Sequence, residues 1–210
     1  MQGLFVSQDQ QVNHMSAIEQ FREQTRRWLE ANCPPSQRKA IPEGELVWGG
    51  REVAFPGDDA RVWFERMRDK GWFCPDWPVE YGGGGLSPEY NAVLESELRR
   101  LKCRPPQINL GIWMLGPVLL EFGTEEQKKA LLTPMTRGEV RWCQGFSEPN
   151  AGSDLASLKT SARDAGDHNV VDGSKIWTSY GDKSDWMYAL VRTDPAASKH
   201  TGISLIVLDM

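Results

Sequence analysis

The sequence has few of the residues that build metal sites and disulfide frameworks. Its 210 residues include four cysteines and three histidines, spread along the chain without a C-x-x-C pair. They are Cys33, Cys74, Cys103, Cys143, His14, His168 and His200. Because zinc sites need thiolates and imidazoles at short spacings, we expect no metal site. The cysteines are expected to be reduced, mostly buried thiols.

Blocks of one charge and long apolar runs are also missing. The chain carries 24 Lys and Arg against 29 Asp and Glu, a net charge of −5. Without a basic cluster, a broad surface for nucleic acid or anionic lipid is excluded. The most apolar stretch, residues 108–122, falls short of the ~20 apolar residues that span a bilayer. The first residues lack the basic and apolar regions of a secretory signal. We therefore expect a cytoplasmic protein that binds neither nucleic acid nor membrane.

The remaining composition is that of a folded globular protein. Hydrophobic residues make up 40% and charged residues 25% of the chain, close to the averages for soluble domains. A length of 210 residues allows one or two domains with a real core. Nine tryptophans stand against four tyrosines and seven phenylalanines. Most such rings pack in cores, but some could face a flat ligand.

Helical signals dominate up to about residue 138. Thr124 and Gln127 fit a capping box, Pro88 follows Ser87 at a first helical position, and Gly71 stands where a left-handed C-terminal cap belongs. Between such signals the apolar residues recur at helical spacing. Helices are expected at residues 17–31, from 58 or 59 to 70, at 89–101 and at 124–135, with 108–122 as a core helix or helix pair.

From Val140 the pattern becomes strand-like. Segments rich in Val, Ile, Trp and Tyr lie at residues 140–146, 168–180, 186–194 and 203–210. Asp172-Gly173 between extended runs predicts a hairpin turn. The fold class is therefore α+β: an all-helical domain, residues 1–138, followed by a partial antiparallel sheet or barrel-like domain, residues 139–210. Because the last apolar strand leaves an unpaired edge, either a partner covers it or the chain is truncated.

Three local motifs favour structural over catalytic roles. The four glycines at residues 82–85 follow an irregular loop, so they favour a tight turn over a phosphate-binding loop. Ser147 and Ser153 lack the G-x-S-x-G elbow of a hydrolase. Glu148 and Asp154 could form an acid–base pair. Carboxylates beside Pro and Gly more often cap turns, however, and we favour that role.

Two segments carry a stronger indication of function. In residues 142–160 a strand runs into small residues whose backbone N–H groups and hydroxyls could converge on an anion such as a pyrophosphate. In residues 175–180 a predicted strand offers an aromatic ring and two hydroxyls. In this order and spacing, the two segments resemble the acyl-CoA dehydrogenase family. FSEPNAGSDLASLKT matches the family's T/S-E-P-G-A-G-S-D segment, and VVDGSKIWTSYGDKSDW matches its N-G-x-K-x-W-I-T-N motif.

The resemblance covers nearly all of residues 14–210. GWFCPDWPVEYGGGGLS is similar to a loop between early helices of the family's N-terminal domain, and LEFGTEEQKKALLTPMTRGE to its next helix pair. Two positions depart from the family pattern. Asn150 replaces the usual Gly, and Asn tolerates a left-handed backbone better than most residues. Ser179 replaces the usual Thr and keeps the hydroxyl.

The resemblance implies FAD bound between the middle β domain and the helical domains. The residues it assigns to the cofactor are Gln144, Gly145, Phe146, Ser147, Gly152, Ser153, Trp177, Thr178 and Ser179. Phe146 and Ser147 would lie by the isoalloxazine, and Ser153 would reach the pyrophosphate and border the acyl-CoA channel. Trp177 would cover the flavin face opposite the substrate. Ser179 would bond near N5 and O4, an edge where hydrogen bonds favour the reduced flavin.

The resemblance also implies a reaction, the oxidation of an acyl-CoA thioester to its trans-2-enoyl form, with an electron-transferring flavoprotein as acceptor. Family members continue into a four-helix C-terminal domain that carries the catalytic base and most of the tetramer contact. The base is expected there, so it is not identified in this sequence. One alternative is a non-catalytic flavin- and acyl-CoA-binding subunit that requires a separate C-terminal partner chain. Another is a flavin-free β-sandwich with a helical cap.

Overall fold

The computed structural model describes residues 16–42 and 44–210. His14 and the start of the predicted helical domain lie outside these residues. The α-helices are α1 (Ala17–Asn32), α2 (Asp58–Asp69), α3 (Pro88–Arg100), α4 (Gly116–Phe122) and α5 (Glu125–Thr136). The strands are β1 (Trp142–Gly145), β2 (Ser161–Asp164), β3 (Asn169–Asp172), β4 (Trp186–Arg192) and β5 (Ile203–Asp209). The predicted order of helices followed by strands is confirmed.

Capping residues set where the helices begin and end. In α5, the Thr124 hydroxyl accepts from the Gln127 N–H at 3.2 Å, and the Gln127 side chain accepts from the Thr124 N–H at 2.9 Å, as the capping box predicts. A second box, Ser16 with Glu19, begins α1. Beyond the end of α2, Gly71 has a φ of +69°, the left-handed conformation expected of a C-terminal cap.

The apolar stretch 108–122 is not one continuous α-helix. A π-helical turn, Gly111–Leu115, leads directly into α4. The indole of Trp77 packs so closely on Gly116 that a Cβ at Gly116 would lie 2.0 Å from its Cη2 atom. The stretch is therefore a pair of helical segments, as predicted, but only one side of it lies in the core, because Leu115 and Leu119 are buried whereas Trp113 and Phe122 are exposed. None of the helices in the described part of the chain is long and apolar enough to cross a membrane.

Strand β4 is the centre of the sheet. Its first four residues pair in parallel with β1, and its whole length pairs antiparallel with β5. Arg192 at its end pairs in parallel with Ser161 of β2, and β2 forms an antiparallel hairpin with β3. The α+β class is confirmed. The sheet is mixed rather than purely antiparallel, and it is not closed into a barrel.

The predicted hairpin at Asp172-Gly173 is wrong. Asp172 ends β3, and the chain then runs through residues 174–179 without pairing as a strand. The actual hairpin joins β2 to β3 through residues 165–168, where the Ala165 N–H donates to the His168 carbonyl at 2.9 Å. Strand β2 escapes sequence-based prediction because its residues, Ser-Ala-Arg-Asp, bury only Ala162. The local pattern in this region therefore predicts extended backbone but not its partners.

One face of the sheet packs against the helices. Trp142, Trp186 and Tyr188 point to that face, where they join a core shared with α4, α5 and the loop around Trp77. The alternate residues of β4, including Ala189 and Val191, point to the other face, as the two-residue repeat of a strand requires. One hydrophobic cluster is therefore shared by the sheet and the helices, and a second lies on the other face of the sheet.

The four cysteines are free thiols. Cys33, Cys74 and Cys143 are buried, and Cys103 is partly buried, so the prediction of mostly buried thiols is confirmed. Cys33 and Cys103 both pack in the cluster between α1 and α2. Among the residues that the structure describes, no three His, Cys, Asp or Glu side chains are grouped to hold a metal ion.

Candidate functional site

The two segments that carry the family resemblance lie side by side. The first leaves β1 through Phe146 and Ser147, and the second begins at Lys175. The backbone N–H of Ile176 donates to the Ser147 carbonyl at 2.9 Å. The Lys175 ammonium donates to the Phe146 carbonyl at 3.1 Å. The fold thus brings together the two parts of the sequence that were singled out for function.

A tight turn follows Ser147. The Glu148 N–H donates to the Ala151 carbonyl at 3.0 Å, and the Ala151 N–H donates to the Glu148 carbonyl at 3.1 Å. Asn150 is not among the described residues with positive φ. The turn therefore forms without a left-handed residue at position 150, and Asn replaces the family's Gly here without strain.

Beyond this turn the chain presents unpaired donors. The N–H groups of Gly152, Ser153 and Asp154 have no acceptor among the residues described by the structure. A Cβ at Gly152 would meet nothing within 4 Å, so space is open there. Exposed, unpaired N–H groups on successive residues are suited to an anion such as a phosphate.

Trp177 is the most exposed large apolar side chain of the site. Its indole is 86% exposed, and its φ is +57°, a left-handed value that is uncommon outside glycine. Tyr180, in the same loop, has a φ of +60° and packs against Trp48 with ring centroids 4.2 Å apart and the ring planes tilted by 48°. Two such residues in one loop mark strained backbone, which concentrates at functional sites.

Not all nine predicted residues share the open side of this junction. The hydroxyls of Ser147, Ser153 and Ser179 have no hydrogen-bond partner within the described part of the chain. Thr178 differs, because its Oγ1 is enclosed, also without a described partner. Gly145 is buried in β1, where a Cβ would lie 2.5 Å from the Met187 sulfur.

The remaining two predicted residues lie beside Tyr188 of β4. Gln144 is half-buried on β1, opposite Tyr188 in the register of β4. Phe146 packs edge-on against Tyr188, with ring centroids 5.8 Å apart. The Tyr188 hydroxyl donates to the Met114 sulfur at 3.0 Å. Burial raises the pKa of Tyr188 to about 12, so this phenol stays protonated near neutral pH.

Glu148 is not a free carboxylate. Its Oε2 accepts from the Lys159 N–H at 2.7 Å, and its Oε1 accepts from the Thr160 N–H at 2.9 Å and from the Lys175 ammonium at 2.8 Å. Burial alone raises its pKa, but these hydrogen bonds outweigh it and lower the pKa to about 2. Glu148 therefore anchors the backbone, the role favoured for it from the sequence.

Lys175 is the site residue that sequence reasoning missed. Its side chain is 8% exposed, as is that of Glu148. The signal in the sequence is a lysine within the motif segment between Gly173 and Ile176. A buried lysine requires a partner charge, but the sequence alone does not say which of the 29 acidic residues provides it.

Two family models match the chain. The model of the acyl-CoA dehydrogenase N-terminal domain matches residues 16–139, and that of the acyl-CoA dehydrogenase middle domain matches residues 143–210. Acyl-CoA dehydrogenase IpdE1 of Mycobacterium tuberculosis is 37% identical over 197 residues, which are 93% of this chain and 50% of that protein.

Solved structures agree with this match. A structure titled Tcur3481-Tcur3483 steroid ACAD is 37% identical, with a TM-score of 0.64, over 92% of this chain and 47% of that one. The ChsE4-ChsE5 complex from Mycobacterium tuberculosis is 31% identical, with a TM-score of 0.64, over 94% of this chain and 48% of that one. Helices followed by a mixed sheet, with the two motif segments joined at the end of β1, define an acyl-CoA dehydrogenase architecture.

The chain belongs to the acyl-CoA dehydrogenase family. It spans about half the length of the curated relatives it matches, since the match covers 50% of IpdE1. An oxidoreductase is what the named homologues support, and FAD is the cofactor typical of the family.

Proposed function

We propose that this chain supplies the flavin-binding part of an FAD-dependent acyl-CoA dehydrogenase that oxidises an acyl-CoA thioester to a trans-2-enoyl-CoA. The observation that carries the proposal is the junction of the two motif segments, where the Ile176 N–H donates to the Ser147 carbonyl at 2.9 Å. It joins the segment with the uncovered indole of Trp177 to the segment with unpaired hydroxyl and N–H groups. We place the division between the helical and β domains at residues 138 and 139, in the connection between α5 and β1.

The residues present fit the cofactor. Trp177 offers a flat apolar face of the kind that stacks on a ring system. Ser147 and Ser179 offer hydroxyls for polar atoms of the flavin ring, and Gly152 and Ser153 offer N–H groups for the pyrophosphate. Ser153 is also the residue proposed to border the acyl-CoA channel. When bound, FAD supplies the acceptor for the hydride that leaves the β-carbon of the thioester.

The catalytic base is assigned to a part of the enzyme outside this chain. A base must be able to take the α-proton near neutral pH, whereas Glu148 has its carboxylate occupied and a pKa of about 2. Without a positioned base, this chain alone is expected to lose the contribution of general base catalysis, about 10²–10⁴-fold.

A specific observation supports the alternative, in which a separate polypeptide completes the enzyme. Two similar structures carry paired names, Tcur3481-Tcur3483 and the ChsE4-ChsE5 complex. We propose that this chain acts in such an assembly or in a tetramer of a longer form, with an electron-transferring flavoprotein as acceptor. Because one of these structures is titled a steroid ACAD, we further propose a bulky acyl group on the thioester.

The reaction is tested by anaerobic titration of the FAD-loaded complete enzyme with straight-chain, branched and steroid side-chain CoA thioesters. We expect at least one thioester to bleach the oxidised flavin and to lose two hydrogens, as read by mass spectrometry. Bleaching by the steroid thioester alone would support the bulky acyl group. An enzyme that holds FAD but is bleached by no member of the panel contradicts the proposed reaction.

A Trp177→Ala variant is predicted to weaken FAD binding. Stacking on an aromatic ring contributes about 0.5–1.5 kcal/mol beyond the area it buries, so the dissociation constant should rise about two- to tenfold. The dissociation constant is measured by flavin fluorescence, with Phe122→Ala as the control, because Phe122 is also an exposed ring, 74% exposed, but lies at the end of α4. Equal affinities for the Trp177→Ala variant and the wild type would refute the stacking role.

A further inference from the structure

A buried ion pair, Lys175 with Glu148, lies next to the junction of the two motif segments. The Lys175 Nζ and Glu148 Oε1 atoms are 2.8 Å apart, and each side chain is 8% exposed. Removing two charges from water is costly, so such a pair persists only where further hydrogen bonds satisfy both groups. The pair therefore needs an explanation beyond the presence of opposite charges.

The hydrogen bonds of this pair reach three separate pieces of backbone. Glu148 accepts from the N–H groups of Lys159 and Thr160, which precede β2. Lys175 donates to the carbonyl of Phe146, which follows β1. Together the two side chains tie the end of β1, the start of β2 and the beginning of the second motif segment into one unit.

Trp177 has few contacts of its own to hold it in place. With 86% of its surface exposed, its position depends on the backbone that carries it. That backbone is held two residues earlier by the Lys175 ammonium and one residue earlier by the Ile176 N–H on Ser147. The left-handed φ of Trp177 is a strained conformation that persists only where neighbouring contacts over-determine it.

We propose that Glu148 and Lys175 are positioning residues for the flavin site, and that their ion pair fixes the Trp177–Ser179 segment relative to Ser147. The effect on FAD binding rests on the proposed function, because the flavin ring would lie between the Trp177–Ser179 segment and Ser147. Because each side chain is only 8% exposed, the pair acts through the backbone that it holds and is assigned no contact with flavin or substrate. A ring held by donors from both segments binds more weakly when the segments can move apart, because ordering them on binding then carries an entropy cost.

The experiment compares Lys175→Met with the wild type by hydrogen exchange in the FAD-free chain and by FAD affinity. Lys199→Met is the matched control, because Lys199 also pairs with a carboxylate, Asp154 at 3.3 Å, but with 65% and 61% of the two side chains exposed. For Lys175→Met we expect amide exchange about tenfold faster at residues 176–179 and an FAD dissociation constant about tenfold higher, with β4 and β5 unchanged. Lys199→Met should change neither.

Loss of one charge could unfold the sheet and prevent the measurement. A double variant tests the proposal in that case. Glu148→Gln with Lys175→Gln removes both charges and keeps polar groups of similar size, so it avoids a single uncompensated buried charge. The proposal is overturned by unchanged exchange at residues 176–179 in the folded single and double variants. It is equally overturned by faster exchange spread evenly over β4 and β5, which indicates a role in stability only. Absence of FAD binding by the wild type, with the local exchange effect present, would contradict the proposed function and leave the positioning role standing.

Discussion

A Glu97→Gln variant is expected to lose about 3 kcal/mol of unfolding free energy at neutral pH. Glu97, on α3, is 1% exposed and lies among three arginines. Its carboxylate accepts from Arg26 at 3.0 and 3.1 Å, from Arg100 at 2.6 Å and from Arg22 at 3.3 Å. These arginines come from α1 and α3, so the carboxylate joins the two helices. Without its charge, three guanidinium groups face each other around a neutral amide.

The size of this loss follows from the carboxylate's own titration. The Arg26 hydrogen bond is the largest cause that lowers the pKa of Glu97 to about 2, and Arg100 and Arg22 add to it against the opposing effect of burial. A lowering from an ordinary 4.5 to about 2 corresponds to about 3 kcal/mol. The arginines keep part of their hydration, since their side chains are 39–44% exposed, so a larger loss is not expected.

Urea unfolding of Glu97→Gln beside Glu95→Gln provides the measurement. Glu95 is on the same helix and pairs with Arg99, but 54% and 71% of the two side chains are exposed. An exposed pair of this kind contributes about 0.3–0.5 kcal/mol. Two variants of equal stability would show that burial of Glu97 adds nothing to its ion pairs.

Acidification from about pH 6 to pH 2 is expected to remove up to about 6 kcal/mol of stability through two carboxylates, Glu97 and Glu148. Both have a folded-state pKa of about 2, below the ordinary 4.5. Since the folded state binds protons less readily than the unfolded chain, the stabilisation is full above about pH 4.5 and is lost as the pH falls to about 2. Asp154 and Asp209 also have lowered pKa values, which act in the same direction.

The two buried carboxylates can be separated from the others with a double variant. Glu97→Gln with Glu148→Gln should start from lower stability at pH 6 and lose much less of it on acidification. The free energy of unfolding is measured by urea titration at each pH. Its slope against pH is then compared between the double variant and the wild type. Parallel slopes for the double variant and the wild type would mean that other groups govern acid unfolding.

Local signals in the sequence predict much of the helical part. Thr124 with Gln127 and Gly71 define helix ends through contacts within a few residues, and the structure has both. Residues within one turn report on each other, so a cap can be recognised without knowing the rest of the fold. The Ser16 capping box was equally readable from its S-x-x-E pattern.

Local signals in the sequence do not predict how the strands of the sheet pair. Strand β1 pairs in parallel with β4, Trp142 opposite Trp186, across a separation that no short pattern encodes. The Asp172-Gly173 sequence is typical of a hairpin turn, but in the structure Gly173 leads into a loop held by Ser147 and not into a partner strand. Tertiary contacts decide between these outcomes, because an extended segment can pair with any edge that the fold brings near.

The candidate site could likewise be predicted only in part from the sequence. The motif residues around Ser147 and Trp177 were identified from their resemblance to a family, and the fold brings their segments together. The Glu148–Lys175 pair was not predicted, because a sequence states that two charges exist but not that they meet in a buried place. The close packing of Gly145, another residue assigned to the cofactor, against Met187 was not predicted either.

Hydrogen exchange of this chain with and without saturating FAD tests most directly whether the two joined segments form an FAD site. We expect protection at residues 146–154 and at residues 176–180 together, with the amides of α1 and α3 unchanged. Protection elsewhere would contradict an FAD site at this junction, for example around the cavity of about 580 Å³ lined by Trp48, Gly50 and Arg141. Protection of one segment without the other would also contradict it, because one cofactor bound at the junction contacts both segments.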